Sequence, residues 1–159
     1  FSRRPYIDCI IPTLVDPSVA PPGKHTMSCF VQYAPYHLAD GMQWDDATRE
    51  AFGETVIDTL EERFPNIRDL IVGKQVLSPL DIERITGLTE GNIFQGELSL
   101  EQLFFNRPVP GWARYRTPID GLWMCGSAVH PGGGIMGANG RIAALELLKE
   151  RRAGRKGVA

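Results

Sequence analysis

Two different hydrophobic periods meet near the C-terminal end of the chain, on either side of a segment rich in glycine. Leu122–Cys125 is a short apolar run bounded by glycines, which predicts a buried strand. From Ala138 onward, apolar residues recur at steps of three and four, and Ile142, Leu145 and Leu148 continue the series. That spacing is typical of a helix with one apolar face. The pattern therefore predicts a strand, a glycine-rich turn and a helix.

The turn between these two elements has a composition that suits contact with a ligand. Five of the nine residues from Gly132 to Gly140 are glycine, and glycine allows both positive φ and close approach to the backbone. The first turn of the following helix carries amide hydrogens and the positive end of the helix dipole, which favour anionic or electron-rich atoms. An alternative stays open at this point, in which the glycines serve only to pack a tight connection.

Three glycines of this turn also match the dinucleotide-binding spacing G-x-G-x-x-G, at Gly132, Gly134 and Gly137. That fingerprint requires a second strand after the helix, with an acidic residue about 20 positions on. The sequence stops at Ala159 before such a strand. No Gly-Lys-Ser/Thr follows, so the segment is not a Walker A loop either. The spacing alone therefore does not predict a dinucleotide site.

Alternating apolar and polar residues near the start of the chain predict two strands, from Tyr6 to Val15 and from Thr26 to Tyr33. The loop between them contains three prolines, and two strands joined in this way favour an antiparallel pair. Three aromatic residues in and after the second strand are open to two interpretations, packing on the sheet or lining a substrate cavity: Phe30, Tyr33 and Tyr36.

The clearest helix follows, from Asp45 or Asp46 as its cap to about Phe64, where Pro65 prevents continuation. The acidic residues between its apolar positions are expected to lie on the solvent side. The predicted buried face consists of Phe52, Val56, Ile57, Leu60 and Phe64.

Shorter elements are predicted before the glycine-rich turn. Ile67–Leu77 has apolar residues in the pattern of a strand. Ser78–Asp81 combines a capping serine, a proline at the first helical position and an acid at the third, which predicts a short helix that ends at Gly87. Ser99–Gln102 has the same capping form and predicts one or two helical turns.

Composition and charge exclude several classes of protein. Hydrophobic residues make up 43% of the chain and charged residues 23%, as in ordinary globular proteins. A net charge of −2 gives no reason to expect nucleic acid as a partner, and no apolar run or signal-peptide pattern indicates a membrane span. Cys9, Cys29 and Cys125 form no C-x-x-C pair and are expected to be buried, reduced thiols of an intracellular protein. No metal site is predicted, because no cluster has metal-ligand spacing.

The segment Gly121–Arg141 resembles the C-terminal flavin motif of phytoene-desaturase-like FAD oxidoreductases, which belong to the amine-oxidase-like flavoprotein superfamily. With further matches upstream, the chain is similar to the subgroup of pyridine nucleotide-disulfide oxidoreductase domain-containing proteins from about Pro5 to Lys149. Those upstream matches are Ala20–His25, Phe30–Tyr36, Ser78–Arg84 and Gly91–Leu98.

The resemblance implies an FAD-dependent oxidoreductase that desaturates or dehydrogenates a small apolar, isoprenoid-like substrate. The competing hypothesis is a non-enzymatic interaction or scaffold module that keeps the flavoprotein fold. The chain starts with Phe1, and no unit that would hold the ADP half of FAD precedes it. We therefore expect the C-terminal part of a longer flavoprotein, whose N-terminal nucleotide-binding domain is missing. Alone, this part is expected to be inactive and to lack FAD.

The resemblance also implies which residues contact the cofactor. In the family, the end of the last strand lies beside the ribityl and pyrophosphate groups, and the backbone of the turn approaches the isoalloxazine ring. His130 lies inside the turn and is the candidate catalytic residue, with orientation of cofactor or substrate as the alternative. The implied cofactor-binding residues are Gly126, Ser127, Gly133, Gly134, Ile135 and Met136.

Together these patterns predict an α+β fold with three parts. Residues 1–112 form a substrate or cap portion with an antiparallel sheet, residues 113–150 the last strand and helix of an FAD-binding α/β domain, and residues 151–159 a basic tail. The apolar face of the last helix and the edge of the last strand would lack their neighbours, so the chain is expected to self-associate. The expected location is the cytoplasm, or the mitochondrial matrix in a eukaryote, with peripheral contact to a membrane.

Overall fold

The computed structural model describes residues 1–134 and 136–156. The chain divides into two compact units, Phe1–Thr86 and Gly87–Ala159. Among the described residues, helices are combined with one two-stranded antiparallel sheet, so the α+β expectation is confirmed at this level. The finer division into a cap portion and part of an FAD-binding domain stays a prediction, and its boundary near Trp112 falls inside the second unit.

The predicted antiparallel pair of strands is confirmed, although both strands are shorter than expected. Strand β1 is Tyr6–Ile10 and β2 is Ser28–Gln32, with Cys9 directly opposite Cys29 in the register. β1 ends early because Pro12 opens a one-turn 3₁₀ segment, and proline supplies no amide hydrogen to a ladder.

Helix α1, Asp46–Glu61, confirms the predicted helix and its cap. The carboxylate of Asp45 accepts a hydrogen bond of 2.7 Å from the amide of Thr48, as expected for an N-cap residue. Phe52, Ile57 and Leu60 are buried as predicted. Phe64 is 42% exposed because the helix ends before it is reached.

Aromatic packing forms the core of the first unit. Trp44, Leu38 and Phe52 are buried together, with the Trp44 and Phe52 rings edge to face at 5.5 Å. The ring of Phe1 stacks on Trp44 at 5.8 Å. The indole Nε1 of Trp44 donates to the carbonyl oxygen of Pro35 at 3.0 Å, so the one polar atom of this ring is also satisfied.

The prediction of a strand over residues 67–77 is wrong. Ile67–Leu70 is a single helical turn, α2, and no strand follows it up to Leu77, a stretch that the structure describes in full. Two cations of this segment bind carboxylates of α1: Arg68 pairs with Glu54 at 2.6 Å, and Lys74 pairs with Glu50 at 2.5 Å. These ion pairs hold the segment along α1. Several of its apolar side chains lie at the surface, with Leu70 75% and Val72 82% exposed, whereas Val76 packs against the core.

The short helix predicted from its capping signature is α3, Pro79–Thr86. The amide of Asp81 donates to Ser78 Oγ at 3.2 Å, and the amide of Ser78 donates to Asp81 Oδ2 at 2.8 Å. This reciprocal pair is a capping box. Gly87 has φ of 75°, the left-handed conformation predicted for the residue that ends the helix.

In the second unit, the prediction of a buried strand at Leu122–Cys125 is wrong. The backbone forms an isolated bridge between Arg116 and Trp123, and no strand ladder extends from it among the described residues. Leu122 is 49% exposed and Cys125 is exposed. The apolar run therefore has too few neighbours here to form a ladder.

The predicted C-terminal helix is present as α4, Ala138–Lys156. Asn139 and Ala143 are buried, whereas Leu145 and Leu148 are 49% and 46% exposed. None of the helices in the described part of the chain combines the length and apolarity that a membrane span requires.

The remaining regular elements are one-turn 3₁₀ segments. The turn predicted at Ser99 is one of them, but the Ser99 side chain forms no capping hydrogen bond. These segments are Pro12–Leu14, Pro17–Val19, Ala39–Gly41, Thr89–Gly91, Leu100–Gln102 and Phe104–Asn106.

Candidate functional site

The candidate site is the glycine-rich turn, defined here as residues 126–137, which ends where α4 begins. Glycine is required at Gly134, whose φ of 145° is rarely adopted by residues with a side chain. A Cβ at this position would also lie 2.6 Å from the Cε of Met136. The turn therefore has a backbone course that other residue types would disturb.

Among the described residues, three buried side chains from outside the turn bind its carbonyl oxygens, and Tyr115 is the first. This residue is 2% exposed, and its hydroxyl donates to the carbonyl oxygen of His130 at 2.6 Å. Burial, with a smaller contribution from the carboxylate of Glu146, raises the pKa of Tyr115 above its ordinary value. The phenol therefore stays protonated at neutral pH and remains a donor.

Asn139 is the second of these side chains, and it reaches the turn from the first turn of α4. Its Nδ2 donates to the carbonyl oxygen of Val129 at 3.2 Å and also to that of Gly126. Asn139 is 9% exposed. One amide group thus joins both ends of the segment 126–129 to the start of the helix.

Arg107 is the third, and it lies in the loop before the turn. Its Nε donates to the carbonyl oxygen of Ser127 at 3.1 Å, and its Nη2 donates to the carbonyl oxygen of Phe94. The residue is 2% exposed, yet Nη1 has no hydrogen-bond partner among the described residues. Because a guanidinium is always charged in proteins, the turn lies beside a buried positive charge with one unsatisfied group.

A small apolar cluster packs against the same turn. Val129, at 1% exposed, packs with Tyr115 and Ala143. Trp123 and Ile142 pack against this cluster. The turn is therefore attached to α4 by apolar packing as well as by hydrogen bonds.

The opposite side of the turn faces solvent. Gly126, Gly133 and Gly134 are exposed, and Met136 is 60% exposed. Ser127 is half-buried, and its hydroxyl lies 3.7 Å from where a Cβ on Gly133 would stand. Five of the six predicted cofactor-binding residues thus lie together in one turn with accessible backbone, whereas Ile135 lies outside the described residues.

His130, the candidate catalytic residue, is half-buried in the same turn. The contact that fixes it is made by its backbone, through the hydrogen bond from Tyr115. Its catalytic role stays a prediction. No group of three or more potential metal ligands occurs in the part of the chain that the structure describes.

The three side chains that hold the turn were not predicted from the sequence. Each bonds to a carbonyl oxygen at least ten positions away. Because every residue has a backbone carbonyl, the residue types do not indicate which one accepts the bond. A weak signal exists for Asn139, because asparagine is common at helix starts. The sequence offers no such signal for Arg107 or Tyr115.

Comparison with curated proteins finds relatives over most of the chain. Pyridine nucleotide-disulfide oxidoreductase domain-containing protein 2 of Rattus norvegicus is 49% identical over 149 residues, covering 94% of this chain. The 4,4'-diapolycopen-4-al dehydrogenase of Metabacillus indicus is 34% identical over 82% of the chain. The phytoene desaturase (lycopene-forming) of Pseudescherichia vulneris is 31% identical over 79% of the chain.

This chain is homologous to a segment of these proteins. The resemblance inferred from the sequence motifs is therefore confirmed. The chain spans only about a quarter of the length of each relative, 26% of the rat protein and 25% of each bacterial enzyme. The relatives are, by name, oxidoreductases, dehydrogenases and desaturases. No family model matches the chain, and no solved structure matches it.

Proposed function

We propose that this chain is the C-terminal, flavin-contacting part of a longer FAD-dependent oxidoreductase, which desaturates or dehydrogenates an apolar substrate. The observation that carries the proposal is the glycine-rich turn. Its carbonyl oxygens are held from one side by Arg107, Tyr115 and Asn139, while backbone on its other side is exposed at the start of α4. The desaturase and dehydrogenase relatives support the same reaction class.

The residues present fit FAD on two counts. Exposed backbone at Gly133 and Gly134 offers a surface that a flat ring system can approach closely when the exposed side chain of Met136, whose Cε lies beside Gly134, moves aside. The buried guanidinium of Arg107, whose Nη1 is unsatisfied, places a positive charge behind Ser127. That charge favours an electron-rich flavin ring or an anionic pyrophosphate on the exposed side of the turn.

FAD, when bound, supplies the acceptor for a hydride from the substrate. The chain contributes binding and electrostatics. The dipole of α4 places partial positive charge at Met136 and Gly137, where the turn meets the helix, and the charge of Arg107 adds to it. Both stabilise negative charge that develops at the cofactor during the reaction. Tyr115 holds the backbone of His130 in the turn through its carbonyl oxygen.

The test of this site is Gly134→Val in the full-length protein. A branched side chain at φ of 145° opposes the native turn and blocks approach to it. We expect the affinity for flavin to fall at least about tenfold, which corresponds to about 1.4 kcal/mol, and the flavin absorbance of the purified protein to fall with it. Far-UV circular dichroism is expected to stay close to that of the wild type.

The matched control is Gly140→Val, because Gly140 is exposed in α4 and a Cβ there meets nothing within 4 Å. This variant should keep its flavin. Normal flavin content in a folded Gly134→Val protein would show that the turn does not contact the cofactor.

A second test separates an enzyme from a scaffold module. The full-length protein is expected to purify yellow and to lose its colour when a reductant is added. The isolated chain is expected to purify without FAD, because it offers contacts to only part of the cofactor. A full-length protein that binds no flavin would overturn the proposal. Stoichiometric FAD on the isolated chain would show that this chain alone provides the whole FAD site, which would overturn the idea that two domains share it.

The exposed apolar side chains of α4 belong to the same proposal. Leu145 and Leu148 are each nearly half exposed, and we propose that the rest of the longer protein covers them. The isolated chain should then self-associate in light scattering. Leu145→Glu should shift it toward monomer, whereas Ala144→Glu, at an exposed position beside it, should not. A monomeric wild-type chain would contradict this expectation.

A further inference from the structure

The two strands of the small sheet place two cysteines directly opposite each other. Cys9 of β1 and Cys29 of β2 are partners in the antiparallel register. Both are free thiols and both are half-buried. The sequence alone offers no reason to pair them, because the connection between the strands is long and irregular.

The register fixes the separation of the two backbones. Partners in an antiparallel pair have Cα atoms about 4.5 or 5.5 Å apart, depending on whether the pair is hydrogen-bonded. Disulfides form where Cα atoms lie about 4.4–6.8 Å apart. Either type of pair therefore falls within the range that a disulfide bridges, and both side chains project from the same face of the sheet.

The surroundings of the pair influence how fast the two thiols react. Burial, followed by the neighbouring Cys9, raises the pKa of Cys29. This effect of one thiol on the other reflects their closeness, and because only the thiolate attacks a disulfide, it slows the reaction of Cys29 at neutral pH. Since neither side chain is fully buried, a small reagent can reach them.

We propose that Cys9 and Cys29 form a redox-active thiol pair, which low-molecular-weight disulfides oxidise to an internal disulfide. The thiolate of one cysteine attacks a sulfur of the reagent, which forms a mixed disulfide and releases one reagent thiol. The thiolate of the second cysteine then attacks the protein sulfur of that mixed disulfide. This step forms the Cys9–Cys29 bond and releases the second reagent thiol, so the protein loses two electrons and two protons to the reagent.

The bond would act on the two-stranded sheet of the first unit. A two-stranded sheet is only marginally stable by itself. The new bond would join β1 to β2 in their native register and close the irregular segment between them into a loop. The oxidised form is therefore expected to resist separation of the strands.

Glutathione disulfide is the probe, applied to the chain carrying Cys125→Ser so that the exposed third thiol cannot react. Peptide mapping without reduction should find a Cys9–Cys29 bond and little bound glutathione. In that background, Cys9→Ser and Cys29→Ser each lack the second thiol. Each should retain at least about tenfold more glutathione as a mixed disulfide, because the intramolecular step is lost.

A second measurement does not depend on the mapping. The urea midpoint of the oxidised chain should lie above that of the reduced chain, and the same treatment should not raise the midpoint of either single variant. Glutathione adducts that persist on the paired protein, or bonds only between chains, would overturn the proposal. None of these readouts involves a flavin, so the outcome is separate from that of the proposed function.

Discussion

Each of the two units of the chain is stabilised internally by a different kind of contact. In the first unit, the rings of Phe1, Trp44 and Phe52 pack against one another, and ion pairs cover the outside of α1. In the second, side chains such as Tyr115 and Asn139 bind the carbonyl oxygens of one turn. Apolar packing tolerates small shifts of the backbone, whereas a hydrogen bond requires its donor and acceptor atoms at a particular distance and angle. The second arrangement therefore fixes the backbone of the turn more narrowly.

The largest expected effect lies in the aromatic core. Phe52→Ala removes a ring that is 4% exposed and packs on Trp44, and truncation of a buried phenylalanine costs about 3–5 kcal/mol. Urea unfolding followed by circular dichroism measures the loss. Phe64→Ala is the control, because Phe64 is 42% exposed and should cost much less. Equal losses would show that the ring cluster is not the core of this unit.

The next effect tests the hydrogen-bonded turn. Tyr115→Phe keeps the ring but removes the donor to the buried carbonyl of His130. Loss of one partner from a buried pair costs about 1–3 kcal/mol. Hydrogen exchange should become faster at residues 126–134 and stay unchanged in α1. Tyr6→Phe, at a site 61% exposed, should leave stability unchanged. Exchange that accelerates in both units alike would argue against a local role for this hydroxyl.

Local signals in the sequence predicted the capped helices well, and Asp45 with α1 is the example. Cap and helix are neighbours in sequence, so the pattern contains both partners of each bond. The strand predicted at residues 67–77 failed for the opposite reason. Its conformation depends on Arg68 and Lys74 finding carboxylates on another helix, and apolar periodicity contains no information about those partners.

The candidate site also combines features that are local in sequence with contacts between residues distant in sequence. Its position could be predicted, because glycines at Gly133 and Gly134 reveal a turn with exposed backbone. The means by which the turn is held could not, because Arg107 and Tyr115 act through carbonyl oxygens distant in sequence. The run Leu122–Cys125 was misread since an apolar pattern does not specify whether neighbouring strands are present.

A smaller effect is expected at the two capping signatures, Ser78 and Ser99, of which only the first forms its hydrogen bonds. Ser78→Ala removes both the cap of α3 and the hydroxyl that donates to Asp81, at a cost of about 1 kcal/mol. Ser99→Ala is the matched control, since Ser99 makes no capping bond. Chemical unfolding at neutral pH should therefore separate the two variants, and equal stability of both would contradict the role of the box.

The same cap predicts a dependence on pH. The Ser78 hydroxyl, with smaller contributions from its backbone and Arg49, holds the pKa of Asp81 below its ordinary value. A carboxyl group with a lowered folded-state pKa stabilises the fold above its unfolded-state pKa, and this contribution is lost as the pH falls. The difference between wild type and Ser78→Ala should therefore shrink below about pH 4. A difference that stays constant with pH would rule out this linkage.

The smallest effect concerns the ion pairs on the outside of α1. Arg68 binds Glu54 at 2.6 Å and also pairs with Asp58, but these side chains are 40% exposed or more. Exposed ion pairs contribute about 1 kcal/mol or less. Arg68→Ala should cost no more than that at low salt, and less in about 1 M salt because of screening. A loss comparable to that of Phe52→Ala would reverse the comparison between core and surface.

The occupied carbonyl oxygens of the glycine-rich turn have a consequence for which ligands it admits. Those of Gly126, Ser127, Val129 and His130 already accept hydrogen bonds from protein groups. A metal cation needs such oxygens as ligands, and here they are directed toward the protein interior and committed to other donors. These four oxygens are therefore poorly placed to act as ligands for a cation.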